Sequence, residues 1–482
     1  MNKLYVLLLA GLVSGCSLAP EYARPDLPTA VVYPDSVQTH GATVPDWQDL
    51  FTDPRLKRLI TLALKENRDL RVAALRVEEA RAQYRIQRAE QWPSLSVTGS
   101  GTRQRSPAIQ NGTTQVAAGD VDANREISSL YSVSVGLAAY ELDVFGRVRN
   151  LKDAALSQYL SLDETRRSVA LSLIAEVATA YLNQRAAQER LGLTRQTLEN
   201  RQRGLELTRQ RFEYGLGSEL DVSQALTLVE TAESDLAVLE RSVAQSDNTL
   251  ALLIGHPLPE ALPLAQPLTA QGLDVTLPAG LPAELLVQRP DIQAAESRLR
   301  ASYANIGAAR AAFFPRVSLT ANTGFSSTEL SSLFNGASRG WLFMPQIELP
   351  IFNAGQNRAQ RDVAVLRKDI GIAEYELSIQ TAFREVADEL VARPTLQRQL
   401  DAQRRLNAST ANSVQLAEQR YRQGLDGFLV LLDSQRTAYE AQTTLIDATL
   451  ELGLSQVRLF RSLGGGWSTV THTEQRQYES GS

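Results

Sequence analysis

The sequence predicts an α+β membrane protein in which one structural unit, two membrane β-strands plus long coiled-coil helices, is used twice. Three observations predict it. The chain repeats itself at a near-constant spacing. Four segments of about ten residues alternate between apolar and small polar side chains. Long breaker-free stretches carry apolar residues at every seventh position.

The repeat is read directly. Arg68-Asp69-Leu70 answers Pro290-Asp291-Ile292 at an offset of 222 residues, which holds through Pro93/Pro315, Ser96/Ser318 and Thr98/Thr320. Glu141-Leu142 matches Glu348-Leu349 at an offset of 207, and two residues are inserted after Phe352. From Gly146/Gly355 the offset is 209. It persists through Glu176-Val177-Ala178/Glu385-Val386-Ala387, Arg211/Arg420, Gly215-Leu216/Gly424-Leu425, Leu220/Leu429 and Gly255/Gly464. Chance does not keep one offset over about a hundred residues. The repeats span 55–257 and 282–466, joined by a Pro-rich connector, 258–281, and followed by a polar tail, 467–482.

Each repeat opens on a helix, expected over Pro54–Gln91 and Pro290–Phe313, rich in Ala and Arg and without an internal breaker. Two strands around a polar loop follow. Two long helices parted by a Gly-containing turn close the unit, over Arg147–Tyr214 and Ser218–Ile254 in the first repeat. At 1.5 Å per residue the longer reaches about 100 Å. Leu191, Leu198, Leu205 and Phe212 form a heptad seam, weakened in the second repeat to Leu400, Asn407, Val414 and Tyr421. Such a seam is helix-to-helix packing.

The strands are expected at 93–103 and 131–144, and again at 316–325 and 341–351. Leu95, Val97, Val133, Val135, Leu319 and Phe343 alternate with Ser96, Thr98, Ser132, Ser134, Thr320 and Met344. Transmembrane barrel strands show this pattern, apolar toward lipid and polar toward water. Tyr131, Phe325, Trp341 and Phe343 suit an interfacial girdle. A half-exposed soluble sheet alternates in the same way; the N-terminal address described next and the duplicated strand pairs favour the membrane. About four strands cannot close a barrel, and open edges are not tolerated in lipid. The barrel therefore needs further copies of the chain: two would supply about eight strands, three about twelve.

At the N-terminus, residues 1–15 read as a signal peptide, with Lys3 before a short apolar run. Val13-Ser14-Gly15-Cys16 has small residues directly before the chain's only cysteine, as a lipobox requires. Cleavage before Cys16 would leave it carrying a diacylglycerol and an N-acyl chain such as palmitate. Ser17, not Asp, at the next position directs such a lipoprotein to the outer membrane. Residues 16–54 are the lipidated, Pro-rich tether.

Composition excludes several classes. Lys and Arg total 49 against 54 Asp and Glu, near neutral for 482 residues, so nucleic acid is not an expected partner. One cysteine excludes an intrachain disulfide, and His40, His256 and His472 lie far apart without ligand-like neighbours. There is no nucleophile elbow, Walker motif or HExxH, and Gly464-Gly465-Gly466 follows a helix rather than opening one, so an enzyme is not expected.

Four strings carry a family resemblance: Tyr140-Glu-Leu-Asp-Val-Phe-Gly-Arg147, Arg289-Pro-Asp-Ile-Gln-Ala-Ala-Glu296, Ile306-Gly-Ala-Ala-Arg-Ala-Ala-Phe-Phe-Pro315 and Leu431-Leu-Asp-Ser-Gln-Arg436. They resemble the TolC-like outer-membrane factors, in the OprM-type (NodT-like) lipoprotein branch. The resemblance implies a homotrimer with a twelve-stranded barrel in the outer membrane and a twelve-helix periplasmic tunnel. It implies an exit channel for drugs, dyes and detergents, docked on a periplasmic adaptor and an inner-membrane RND-type transporter. A protein-secretion duct or a metal-ion efflux duct shares the fold, and a purely structural coiled-coil lipoprotein would leave the strands unexplained. The resemblance places a periplasmic gate at Leu429 and Asp433, which lie i,i+4 on one helix face and by symmetry make an apolar ring and a cation-favouring carboxylate ring. The repeat partner of Asp433 is Gln224, so the charge belongs to one repeat. A solvated surface carboxylate is the plain alternative. Asp221, Tyr421 and Arg422 match gate-locking links, with Asp426 standing where the best-known duct has arginine. Gly215, Leu216, Gly424 and Leu425 match the adaptor-docking tips.

Overall fold

The structure, a computed structural model, describes residues 17–30, 33, 44–105, 127–271 and 285–465. The expected signal peptide, Cys16, residues 272–281 of the connector and the tail 467–482 lie outside the described residues. The elements used below are α1 (Pro54–Glu66), α2 (Arg68–Ala89), β1 (Leu95–Arg105), β2 (Ile127–Leu142), α3 (Arg147–Glu213), α4 (Glu219–Ile254), α5 (Pro290–Ala311), β3 (Arg316–Ser327), β4 (Arg339–Glu348), α6 (Gln356–Arg422) and α7 (Phe428–Ser462). The chain divides into two compact units. One comprises Met1–Arg24, Glu79–Tyr159 and Ser297–Ile372, the other Pro25–Glu78, Leu160–Glu296 and Ala373–Ser482.

The first unit holds an antiparallel four-stranded sheet in the order β1-β2-β3-β4. Its register keeps like with like. Leu95 faces Leu137, Val97 faces Val135, and Ala321 faces Phe343 on one side of the pleat. Ser96 faces Gly136, Ser100 faces Ser132 with their hydroxyls 2.8 Å apart, and Ser318 faces Gln346 on the other. A bulge between Leu137 and Tyr140 shifts the β2–β3 register; there Ala139 takes a positive φ of 51° and donates its N–H to Thr320 Oγ1 at 3.2 Å. Such a bulge strengthens twist. β4 is exposed along its whole length, Trp341 to 80% and Ile347 to 71%. β2 starts earlier than expected, and β4 stops at Glu348, leaving Leu349 and Ile351 outside the ladder.

The strands join their helices through a polar joint. The Asp143 carboxylate accepts the N–H groups of Val148 and Arg149 at 3.0 and 2.8 Å, capping the start of α3. Glu141 takes a bidentate bond from Arg147 at 2.8 and 2.7 Å, and Arg316 lies 3.2 Å away. Phe145 stacks on Phe314 at 4.8 Å.

The second unit is helical, with Phe51, Phe460, Leu56, Ile60 and Tyr181 wholly buried. Tyr181 donates its hydroxyl to Asp53 at 2.6 Å, and Gln271 donates to the same carboxylate oxygen at 3.0 Å. Here one expectation fails. The helix expected over Pro54–Gln91 is broken at Asn67, which is extended at φ −60° and ψ 134°. No Pro or Gly causes the break. The Asn67 amide donates to the Leu253 carbonyl at 2.8 Å and accepts the Leu70 N–H at 2.9 Å, so a tertiary bond and a new helix cap replace one turn of helix. The heptad seam packs as expected over most of its length: Leu205 is buried with Ala225 and Val229, and Leu400 with Ala448 and Leu452. It opens at the end of α3, where Phe212 is 44% exposed.

Candidate functional site

The site lies in the second unit, where α3 turns into α4 and α6 into α7. The sequence places Gly-Leu at both turns, and both close in the same way. Gly215 and Gly424 adopt φ of 74° and 73°, the left-handed conformation that glycine takes without strain. Leu216 N–H bonds to Arg211 O at 2.8 Å and Gly215 N–H to Phe212 O at 2.9 Å. Leu425 N–H bonds to Arg420 O at 2.9 Å and Gly424 N–H to Tyr421 O at 3.0 Å. This is the Schellman pattern, which satisfies the last carbonyls of α3 and α6. The leucines after the glycines stand out into solvent, 69% exposed at Leu216 and 61% at Leu425. Each repeat therefore presents one exposed apolar tip.

Past the turns the repeats diverge. Helix α4 starts with a reciprocal cap: Asp221 N–H bonds to Ser218 Oγ at 3.1 Å, and Ser218 N–H to Asp221 Oδ2 at 3.0 Å. Helix α7 has Gly427 at its N-cap and so no side-chain cap. In its place Arg420 grips Asp426 through two bonds of 2.6 and 2.8 Å. That hydrogen-bonded guanidinium holds the Asp426 carboxyl below the usual aspartate range. The first-repeat counterpart of Asp426 is Gly217, so Arg211 has no such partner. Arg211 turns instead onto the ring of Tyr421, 4.9 Å from its centre, and Tyr421 also contacts Phe428 at 5.6 Å.

The expected site residues fall into place unevenly. Leu429 and Asp433 lie one turn apart on α7 and are exposed, Leu429 to 62%. Asp433 accepts from Arg436 on its own helix at 2.9 Å. Of the three expected links, Tyr421 joins the tips of the two repeats. Asp221 is engaged in its helix cap, and Arg422 pairs with Glu418 on its own helix. The structure adds two residues that sequence reasoning passed over. Arg211 was visible as a repeat partner of Arg420; the Gly217/Asp426 difference is the signal that separates their roles. Arg201 is buried, donates to Leu228 O at 2.9 Å and lies 5.1 Å over the Tyr439 ring. Burial lowers its pKa from the ordinary arginine value. Between the coils runs a groove of about 520 Å³ lined by Gly204, Leu205, Ala225, Tyr421, Phe428 and Tyr439. Among the described residues no helix is long and apolar enough to cross a membrane, and no His, Cys, Asp and Glu side chains group as a metal site.

A duplicated strand pair with an alternating apolar face, and paired coils that end in twin turns, are the parts of a membrane-channel subunit. The chain belongs to the outer membrane efflux protein family, whose model matches residues 59–256 and 281–465. It is 46% identical to the probable efflux pump outer membrane protein TtgC of Pseudomonas putida, over 99% of this chain and 98% of that one. It is 45% identical to the outer membrane protein OprJ of Pseudomonas aeruginosa, over 97% of each chain. Its fold matches the open state of the Neisseria gonorrhoeae MtrE outer membrane channel with a TM-score of 0.84 at 39% identity, covering 94% of this chain and 98% of that one. The chain is an outer-membrane efflux channel component, and the expected TolC-like fold class stands.

Proposed function

We propose that the chain is the homotrimeric exit duct of a tripartite multidrug efflux pump: a passive, gated conduit for drugs, dyes and detergents, without catalytic activity of its own. The observation that carries this reading is the four-stranded sheet whose edge strands, β1 and β4, have no further partner among the described residues. An open edge in hydrocarbon leaves backbone groups unsatisfied, so β1 of one copy pairs with β4 of the next. Three copies make about twelve strands, a barrel wide enough for a water-filled bore. Cys16 carries the diacylglycerol and N-acyl lipid that holds each copy to the outer membrane.

The exposed tips at Gly215-Leu216 and Gly424-Leu425 receive the adaptor, which links the duct to an RND-type transporter in the inner membrane. Leu429 and Asp433 form the gate rings. Tyr421, with Asp221 and Arg422, restrains the coils in the closed state. The test is deletion of the gene in its native host. Dye retention and drug susceptibility should both rise and return to normal with the intact gene. Unchanged retention, with the protein confirmed in the wild type and no second channel expressed, would refute the reading.

A further inference from the structure

The first residues after Cys16 are held against the first unit by contacts that a passive tether does not need. The Ser17 hydroxyl donates to Asn150 Oδ1 at 2.9 Å. Leu18 offers its carbonyl to Arg310 Nη1 at 3.1 Å. The Ala19 methyl sits over Gly307: a Cβ at position 307 would lie 2.8 Å from Ala19 Cβ and 2.6 Å from Asn150 Nδ2. Tyr22 packs edge-on against Tyr303, with ring centres 5.4 Å apart, and lies under the Arg300 guanidinium at 5.0 Å. A cation over a tyrosine face is attractive in its own right. Side chain, backbone and ring contacts thus fasten one short segment. The glycine notch has no turn or positive φ to explain it, since Gly307 lies inside α5.

The place of the seat matters. Arg300, Tyr303, Gly307 and Arg310 occupy the last turns of α5, the helix that runs into β3 at Arg316. Asn150 stands in the first turn of α3, just after β2 ends at Leu142. The seat is therefore built at the roots of two strands.

We propose that Ser17–Tyr22 is a seated strap, and that the notch formed by Asn150, Gly307 and Arg310 with the Tyr303–Arg300 clasp is its receptor, fixing the lipid on Cys16 level with the strand roots. This rests on the reading that Cys16 is lipidated. The strap makes the anchor part of the fold: the acyl chains enter the membrane beside the strands instead of sweeping the radius a free tether allows. It holds two separate membrane attachments, acyl and barrel, at one depth.

Chymotrypsin cleaves after tyrosine, and cutting the Tyr22–Ala23 bond separates the lipid from the rest of the chain. The full-length protein, labelled with palmitate and purified in detergent, is compared with Gly307→Val and with Gly336→Val, where an added Cβ meets nothing. All three should carry equal label. Native and Gly336→Val chains should keep it, and Gly307→Val should lose it at least tenfold faster. Arg310→Leu, which removes the bond to Leu18 and leaves Gly307 in place, should fall between and guards against a folding defect at position 307. Equal rates in native, Gly307→Val and Arg310→Leu chains would overturn the strap. Absence of label from the native chain would overturn the lipid reading instead, and the strap would still be scored by the mass of the product beginning at Ala23.

Discussion

The two repeats make the same joint with different chemistry. In the first, Asn67 donates one bond to the carbonyl of Leu253, and Gly255, at φ 85°, leaves room for Glu66. In the second, the matching residues are Arg289, Ser462, Gly464 and Gln288. Arg289 donates to Ser462 O at 2.9 Å, and beyond that to Glu385 at 2.8 Å and to Asp291 at 3.0 and 2.7 Å. Glu176, the counterpart of Glu385, is exposed. The tips differ in the same spirit: a helix cap at Ser218 and Asp221 in one repeat, an Arg420–Asp426 ion pair in the other. Duplication preserves where a backbone carbonyl must be satisfied; it does not preserve how. Each copy is free to add charge where its own surroundings can pair it.

The largest effect should come from breaking the charged joint. Arg289→Ala leaves Glu385 and a buried carbonyl without their partner, a loss of about 3–5 kcal/mol in the unfolding of the detergent-solubilised protein. Arg289→Asn, which turns the second joint into the first, should recover part of it. Asn67→Ala should cost only about 1–3 kcal/mol, since no charge is orphaned. If both alanine variants melt alike, the extra ion pairs of the second joint contribute nothing.

Next come the glycines. An added Cβ would lie 2.5 Å from the Glu66 carbonyl at Gly255 and 2.7 Å from that of Gln288 at Gly464, both at positive φ. Left-handed backbone costs an L-residue about 1–2 kcal/mol before any clash. Gly255→Ala and Gly464→Ala should each lower the melting temperature, and by similar amounts. A neutral Gly464→Ala would mean that the second joint yields where the first is rigid.

The smallest effects should appear at the tips, in conductance rather than stability. Asp433→Asn should reduce cation preference in planar bilayers, while Gln224→Ala, at the matching position, should not. The Arg420–Asp426 pair is a pH test of the same contrast. The Asp426 pKa is depressed, so the pair is intact at neutral and mildly acid pH and is lost only as pH falls through a value below the usual aspartate range. Asp426→Asn should abolish any conductance step in that acid window. A step that survives the substitution would assign it to another carboxylate.

Much of this was open to reading. Period-two alternation and duplicated glycines are local signals, and they located the strands and both tips. Other features were not. Asn67 breaks a helix because Leu253, far away in sequence, needs a donor, and no propensity records that need. Asp221 could have been read as a helix cap from Ser218 three residues before it, yet its role is ambiguous until the backbone is seen. Arg211 and Arg420 are the same residue at the same repeat position; Gly217 against Asp426 separates them in the sequence, but the tyrosine ring that Arg211 takes instead is seen only in the fold.

By itself the sequence determined the duplication, the order of strands and long helices, the alternating face of the sheet and the glycine at each turn, because these depend on side-chain type and spacing along the chain. Only the tertiary structure decided which partner each buried or clustered polar group takes. Asn67, Arg289, Tyr421 and the Ser17–Tyr22 strap find their partners across distances in sequence that no local rule spans. A buried donor or charge is settled by whatever acceptor folding brings within reach.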